Sequence, residues 1–174
     1  NFEKDFTNKL NTKHSIMVNS GSSANLLALQ CLINPERKKR LLYGDEVLVP
    51  AICWPTSLWP IIQSGLKPVF VDVDTNTFNI SLKDLISKLS KKTKALMLIH
   101  VLGNSADMNE LMKIVKKYNL ILIEDTCESL GAKYKGKYLG TFGDFSTFSF
   151  YYSHQITSIE GGMVCCKNKE DSNI

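Results

Sequence analysis

Short apolar runs rich in β-branched residues alternate with helical patterns along the chain, and this alternation limits the possible folds more than any other feature. Val47-Leu48-Val49, Val69-Phe70-Val71, Ala95 to Val101 and Leu120-Ile121-Leu122-Ile123 are near-continuously apolar and bounded by turn residues. Runs without a polar face suit strands of a sheet covered on both sides. Between them, Ser23 to Leu32, Thr56 to Ser64, Ser81 to Leu89 and Asp107 to Tyr118 carry helical spacing. Ser81-x-x-Asp84 and Asp107-x-x-Glu110 each set a side-chain acceptor three residues ahead of an acid, a helix-start signature. The alternation predicts an α/β fold with a mostly parallel, mixed sheet between helices. After Asp125 the pattern changes to short strands with glycine turns, around Phe145 to Phe150 and Met163 to Cys166, so a mixed edge is expected there.

Composition narrows the function classes. The 174 residues, 44% hydrophobic and 22% charged, suffice for one domain-sized core and not for two. Twenty-one Lys and Arg against 17 Asp and Glu give +4 with the charges mixed, and the one basic run, Arg37 to Arg40, lacks interleaved aromatics, so no nucleic-acid partner is expected. No apolar stretch reaches the roughly 18–20 residues of a membrane span, and no leader pattern is visible. A cytoplasmic protein without a membrane partner is the expectation. Five cysteines without a C-x-x-C pair and three histidines without ligand spacing give no reason to expect a disulfide scaffold or a metal site. Asn1 at the start and the polar stretch Lys167 to Ile174 read as cut ends, so the chain is expected to be a fragment.

Ligands of open α/β sheets bind beyond the carboxyl ends of the strands, and four segments fall at such ends or at helix starts. Ser20-Gly21-Ser22-Ser23-Ala24-Asn25 opens an apolar helix, where glycine, free N–H groups and hydroxyls can cradle a phosphate or simply cap the helix. Neither G-x-G-x-x-G nor G-x-x-x-x-G-K-[ST] occurs. Glu124-Asp125 follows the apolar run 120–123, and a carboxylate there can hold a ring nitrogen protonated or cap a helix. Trp54 can stack on a planar cofactor or pack as an ordinary indole. His154, between a strand pattern and Gly161-Gly162, can serve as a base near neutral pH or as a structural histidine.

Jointly, the order and spacing of these segments resemble the DegT/DnrJ/EryC1/StrS sugar aminotransferase family of pyridoxal-phosphate enzymes. Matching stretches are Asn19 to Asn25, Gly44 to Val47, Pro60 to Gln63, Pro68 to Asp72, His100 to Asn104, Ile123 to Asp125, Gly140 to Asp144 and Ser149 to Gly162. The family carries its catalytic lysine in a Ser-Phe-x-x-x-Lys pattern, whereas this chain reads Ser149-Phe150-Tyr151-Tyr152-Ser153-His154. Histidine at that position resembles the nucleotide-sugar 3-dehydratase branch, as do Asn104, Thr141-Phe142 and Ile156-Thr157. Tyr152-Ser153 stands where that branch has Pro-Ala, Gln155 where it has a second histidine, and Ile159 where it has glycine.

The resemblance implies an aspartate-aminotransferase-like (type I) cofactor-binding large domain over residues 1–174, without the C-terminal small domain. It implies a homodimer whose sites draw on both subunits. Asp125 would pair with the pyridinium nitrogen, Trp54 would stack on the ring, and Glu128 would lie near its phenolic oxygen. Ser22, Ser23 and Ser149 would hold the phosphate, helped by the backbone at Gly21 and Ser22. Lysine binds such a cofactor covalently as the aldehyde; imidazole cannot, which favours pyridoxamine 5'-phosphate over pyridoxal 5'-phosphate. The implied activity is loss of the C3 hydroxyl from a nucleotide-linked 4-keto-6-deoxyhexose, in deoxysugar biosynthesis of the lipopolysaccharide O-antigen type, with His154 as the base. Two routes would close the cycle: a reductase partner acting through a [2Fe–2S] cluster bound beyond Ile174, or glutamate. Two alternatives stand beside this: an aminotransferase using Lys133, Lys135 or Lys137, and a catalytically silent relative.

Overall fold

The computed structural model describes all 174 residues. In chain order it contains α1 (Phe2–Leu10), β1 (His14–Val18), α2 (Gly21–Ile33), β2 (Glu46–Pro50), α3 (Pro55–Gln63), β3 (Lys67–Val71), α4 (Leu82–Lys88) and β4 (Thr93–Ile99). A 3-10 turn (Val101–Gly103), α5 (Met108–Tyr118), β5 (Ile121–Asp125), the two-residue strands β6 (Lys133–Tyr134) and β7 (Lys137–Tyr138), β8 (Phe145–Ser149), β9 (Gly162–Cys166) and α6 (Lys169–Asn173) follow.

Seven strands form one sheet in the order β1-β9-β8-β5-β4-β2-β3. The run from β3 to β8 is parallel, and β9 pairs antiparallel with both β8 and β1. The mostly parallel sheet with a mixed edge thus agrees with the sequence, and β9 is the strand that makes it mixed.

Side-chain alternation sorts each central strand between two cores. Val47, Val49, Ala95, Met97, Ile123 and Phe145 pack under α2 and α3 with Ala28, Leu29 and Ile61. Leu48, Leu96, Leu98 and Leu122 face the opposite way, against Leu85 of α4 and Leu111 and Val115 of α5. Burying each of these Val, Leu, Ile, Phe and Met side chains contributes about 1.5–3 kcal/mol, so the two layers together fix the sheet between helices. A smaller cluster seats α1 on the mixed edge, where Phe6 packs edge-on against Phe148 at 5.0 Å.

Both foreseen helix starts are present. Ser81 Oγ accepts from the Asp84 N–H (3.3 Å), and Asp107 Oδ1 from the N–H groups of Asn109 (3.1 Å) and Glu110 (3.3 Å). Three of the boundaries that differ from the sequence reading bear on the carboxyl ends of the sheet. The run through Val101 stops being strand at Ile99, and His100 leads into the 3-10 turn. The segment around Phe145 to Phe150 ends as strand at Ser149. Glu124 and Asp125 do not follow β5 but are its last two residues, so their side chains leave the sheet on opposite faces. The elements without a clear sequence signal are α1, which buries only Phe6 and Leu10, the half-buried edge strand β1, the two-residue strands β6 and β7, and α6 in the polar stretch after Cys166.

Candidate active site

Strand order reverses between β2 and β4, and the carboxyl ends flanking this point are where an open α/β sheet leaves a crevice. The loop after β2, the end of β5, the end of β8 and the amino end of α2 converge there.

Asp125 is the centre. Its Oδ2 accepts from the Ser57 hydroxyl (2.7 Å) and the Asn25 amide (2.9 Å), and its Oδ1 from the Cys127 N–H (3.2 Å). The Asn25 amide is oriented by its other partners. Its nitrogen also donates to the Thr56 carbonyl (3.2 Å), and its oxygen accepts from the Thr147 hydroxyl (2.7 Å). A flipped amide would point its oxygen at two acceptors, so the nitrogen must face Asp125. Each partner of the buried Asp125 is therefore a neutral donor, and the carboxylate acts purely as an acceptor. A buried anion without a cation is costly, and a protonated ring nitrogen is the kind of group that completes it.

Beside Asp125 lies a tight approach of three elements. A Cβ on Gly21 would stand 2.6 Å from Ser149 Cβ and 2.9 Å from Cys127 Sγ, so only glycine lets α2 begin this close to β8 and the turn after β5. Ser20 caps the helix, its Oγ accepting from the Ser23 N–H (3.1 Å). Ser22 stays exposed and Ser23 half-buried at the first turn. Helix hydrogen bonding leaves first-turn N–H groups unspent, and with the macrodipole they suit a phosphate. An anion cradle next to an unneutralised carboxylate matches a cofactor with a phosphate and a basic ring nitrogen.

Trp54 is the N-cap residue of α3, three residues before Ser57 and 71% exposed, so its indole is not part of either core. His154 sits half-buried on the loop Phe150–Gly161 leaving β8, with its N–H bonded to the Tyr151 carbonyl (3.0 Å). Glu128, one turn after Asp125, accepts the Leu102 N–H at Oε2 (3.2 Å), and its backbone carbonyl accepts from the Gln155 amide (2.6 Å). Burial, then the neighbouring Asp125 charge, push the thiols of Cys53 and Cys127 above the ordinary range.

Glu124 belongs to the other face. One oxygen accepts from the N–H groups of Phe142 (2.7 Å) and Gly143 (2.6 Å), the other from the Gly140 N–H (2.8 Å) with His100 Nε2 at 3.1 Å. Burial raises its pKa, but the His100 contact and these backbone donors outweigh that and hold it below the ordinary range. It is a structural anchor. Asn25, Ser57 and Thr147 are the site residues that sequence reasoning missed; a polar Asn25 inside the apolar run Ala24 to Leu32 was the available signal.

The lysines near the glycine turn are elsewhere. Lys135 and Lys137 line a cleft of about 920 Å³ with Phe145 and Cys166. That cleft opens at the amino end of β8, whose five residues separate it from Ser149 by about 13 Å.

Comparison with known proteins follows the same lines. The DegT/DnrJ/EryC1/StrS aminotransferase family matches over residues 1–174. A lipopolysaccharide biosynthesis protein, RfbH of Salmonella typhimurium, is 48% identical over 97% of this chain and 39% of its own. GDP-4-keto-6-deoxy-D-mannose 3-dehydratase of Yersinia pseudotuberculosis is 43% identical over 97% of this chain and 43% of its own. A crystal structure of GDP-4-keto-6-deoxymannose-3-dehydratase with a trapped PLP–glutamate geminal diamine superposes with a TM-score of 0.94 at 41% identity, covering 98% of this chain and 44% of that one. The chain spans about two fifths of the length of these curated relatives. It belongs to the DegT/DnrJ/EryC1/StrS aminotransferase family and has the fold of its aminotransferase-like members.

Proposed function

We propose that residues 1–174 form the cofactor-binding large domain of a pyridoxamine-phosphate-dependent nucleotide-sugar 3-dehydratase, which removes the C3 hydroxyl from a nucleotide-linked 4-keto-6-deoxyhexose. The observation that carries this reading is a buried Asp125 held by three neutral donors together with histidine, not lysine, on the loop beyond Ser149. The dehydratase names of the relatives support the substrate class.

When bound, pyridoxamine phosphate supplies an amine for the sugar's ketone and a ring that withdraws electrons. The first turn of α2, with Ser22, Ser23 and Ser149, would hold its phosphate. Asp125 would accept the ring N–H, and Trp54 would cover a ring face. His154 cannot bind the cofactor covalently, and its imidazole would instead accept the proton whose loss accompanies departure of the C3 hydroxyl, the two together amounting to loss of water. A base so placed contributes roughly 10²–10⁴-fold. Glutamate as the source of the returning amine is supported by the glutamate adduct of the related dehydratase. A homodimer in the cytoplasm, with a small domain completing each subunit, belongs to the same proposal.

An aminotransferase reading needs a lysine at the cofactor, and Lys135 and Lys137 stand at the wrong end of β8, while Lys133 lies over the Tyr138 ring in the β6–β7 hairpin. Borohydride treatment of the full-length protein loaded with pyridoxal phosphate tests both readings. The expected result is no cofactor fixed to the peptide, together with dehydration that His154→Asn abolishes while cofactor binding stays within about threefold. A reduced lysyl linkage would overturn the proposal, and so would turnover that persists without His154.

A further inference from the structure

The loop Phe150–Gly161 carries His154, yet little holds it down. Tyr151, Tyr152, Ser153, Gln155, Ile156 and Thr157 are exposed. Most of its hydrogen bonds are internal or reach only the strand it leaves: Phe150 N–H to the Gly161 carbonyl, Ser158 N–H to the Phe150 carbonyl, His154 N–H to the Tyr151 carbonyl, and Tyr151 N–H to Ser149 Oγ. One bond ties residues 151–160 to another part of the molecule. The Gln155 side-chain amide donates to the backbone carbonyl of Glu128 at 2.6 Å.

That carbonyl is well chosen as an anchor. It lies three residues after Asp125, in a turn fixed by Asp125 Oδ1 on the Cys127 N–H and by the Ser129 N–H on the Thr126 carbonyl. The same residue's carboxylate holds the Leu102 N–H, which adds the loop after β4 to the joint. The carboxylate that faces the ring nitrogen and the histidine that moves the proton are thus connected through Gln155 and one rigid turn.

We propose that Gln155 is a positioning residue for His154, setting the distance of its imidazole from the Asp125 end of the site. This rests on the function proposed above. The hydrogen bond replaces many loop conformations by one that keeps the base in reach, and misplacement of a reacting group by about 1 Å costs up to about 10²-fold. The Gln155 amide donates to a backbone carbonyl and not to a reacting group, so its effect should fall on the step that uses His154.

The test uses the full-length protein loaded with pyridoxal phosphate and mixed with L-glutamate, followed in a single turnover by absorbance. Gln155→Ala is expected to slow proton transfer about 10–100-fold while leaving cofactor affinity and Tm unchanged. Gln155→Glu, equal in shape but ionised and facing a carbonyl, should behave alike. Gln155→His, whose ring N–H can donate to the same carbonyl, should recover most of the rate. Hydrogen exchange of the cofactor-free protein gives an independent readout: amides of residues 151–158 should exchange at least fivefold faster in Gln155→Ala, with β5 and β8 unaffected. Wild-type rate together with wild-type exchange in Gln155→Ala would overturn the inference alone. Glutamate turnover that survives His154→Asn, with Gln155 intact, would instead overturn the function on which it rests.

Discussion

At the scale of single residues, closeness of backbone rather than special dihedrals decides the cradle. Gly21 lies in an ordinary helical turn, yet a methyl group there would overlap Ser149 Cβ and Cys127 Sγ. The neighbours cannot yield easily, since Ser149 ends a buried strand and Cys127 belongs to the turn fixed by Asp125. Gly21→Ala is therefore expected to push α2 away from β8, destabilising the protein by about 1–3 kcal/mol. The same shift moves the N–H groups at the start of α2, so, if these hold the phosphate as proposed, affinity for pyridoxamine phosphate should fall at least tenfold. Urea unfolding and a fluorescence titration check the two effects separately. Exposed Ser22→Ala removes a hydroxyl without moving backbone and should cost affinity alone.

The element that organises the molecule is β5, which ends in two adjacent carboxylates aimed at opposite layers. Asp125 serves the site; Glu124 gathers Gly140, Phe142 and Gly143 and meets His100 with no exposure to solvent. Glu124→Gln turns one acceptor oxygen into a donor facing N–H groups, and about 3 kcal/mol of destabilisation is expected for breaking such a buried arrangement. Its pH dependence has a definite sign. A carboxylate held below its ordinary range stabilises the fold at pH values above its unfolded pKa, about 4.3, and that contribution is lost as pH falls through the folded value. Urea midpoints measured from pH 7 to pH 3 should fall more steeply in wild type than in Glu124→Gln. This division is hidden in the sequence, because the apolar run stops at Ile123 while the strand continues through Glu124 and Asp125. The central strands were legible since burial on both faces leaves unbroken apolar runs. The edge strand β1 was not, because His14, Ser15 and Met17 face partly outward and dilute that pattern. For the same reason the serines and glycine of α2 could be seen as a cradle, while Asn25 and Ser57 gained meaning only when folding brought them within 3 Å of Asp125 across 100 and 68 residues.

Across the whole molecule the five cysteines report where the packing is closed. Cys31 and Cys166 have thiols pushed up to about 12 by burial and then by the charge of Asp171, whose carboxylate is engaged by Arg37 at 2.7 Å. Cys165 is raised by burial between β1 and β8, and Cys127 and Cys53 by burial and the Asp125 charge. The thiolate is the reactive form, so at pH 8 none of the five sites presents more than a small thiolate fraction while the fold persists. Thiol-specific reagent at pH 8 should therefore label the native chain slowly and all five cysteines rapidly in concentrated guanidinium chloride. Cys53, half-buried on the loop after β2, should be the first to react in the folded protein. Bound cofactor gives the discriminating comparison. Cys53 lies next to Trp54 in the chain and feels the Asp125 charge, so pyridoxamine phosphate at that site should slow its labelling severalfold. Cys31 and Cys166, in the layer where α6 docks through Arg37 and Asp171, should be unaffected. Equal protection of all five would mean that ligand binding tightens the whole fold instead of covering one crevice at the carboxyl ends of the strands.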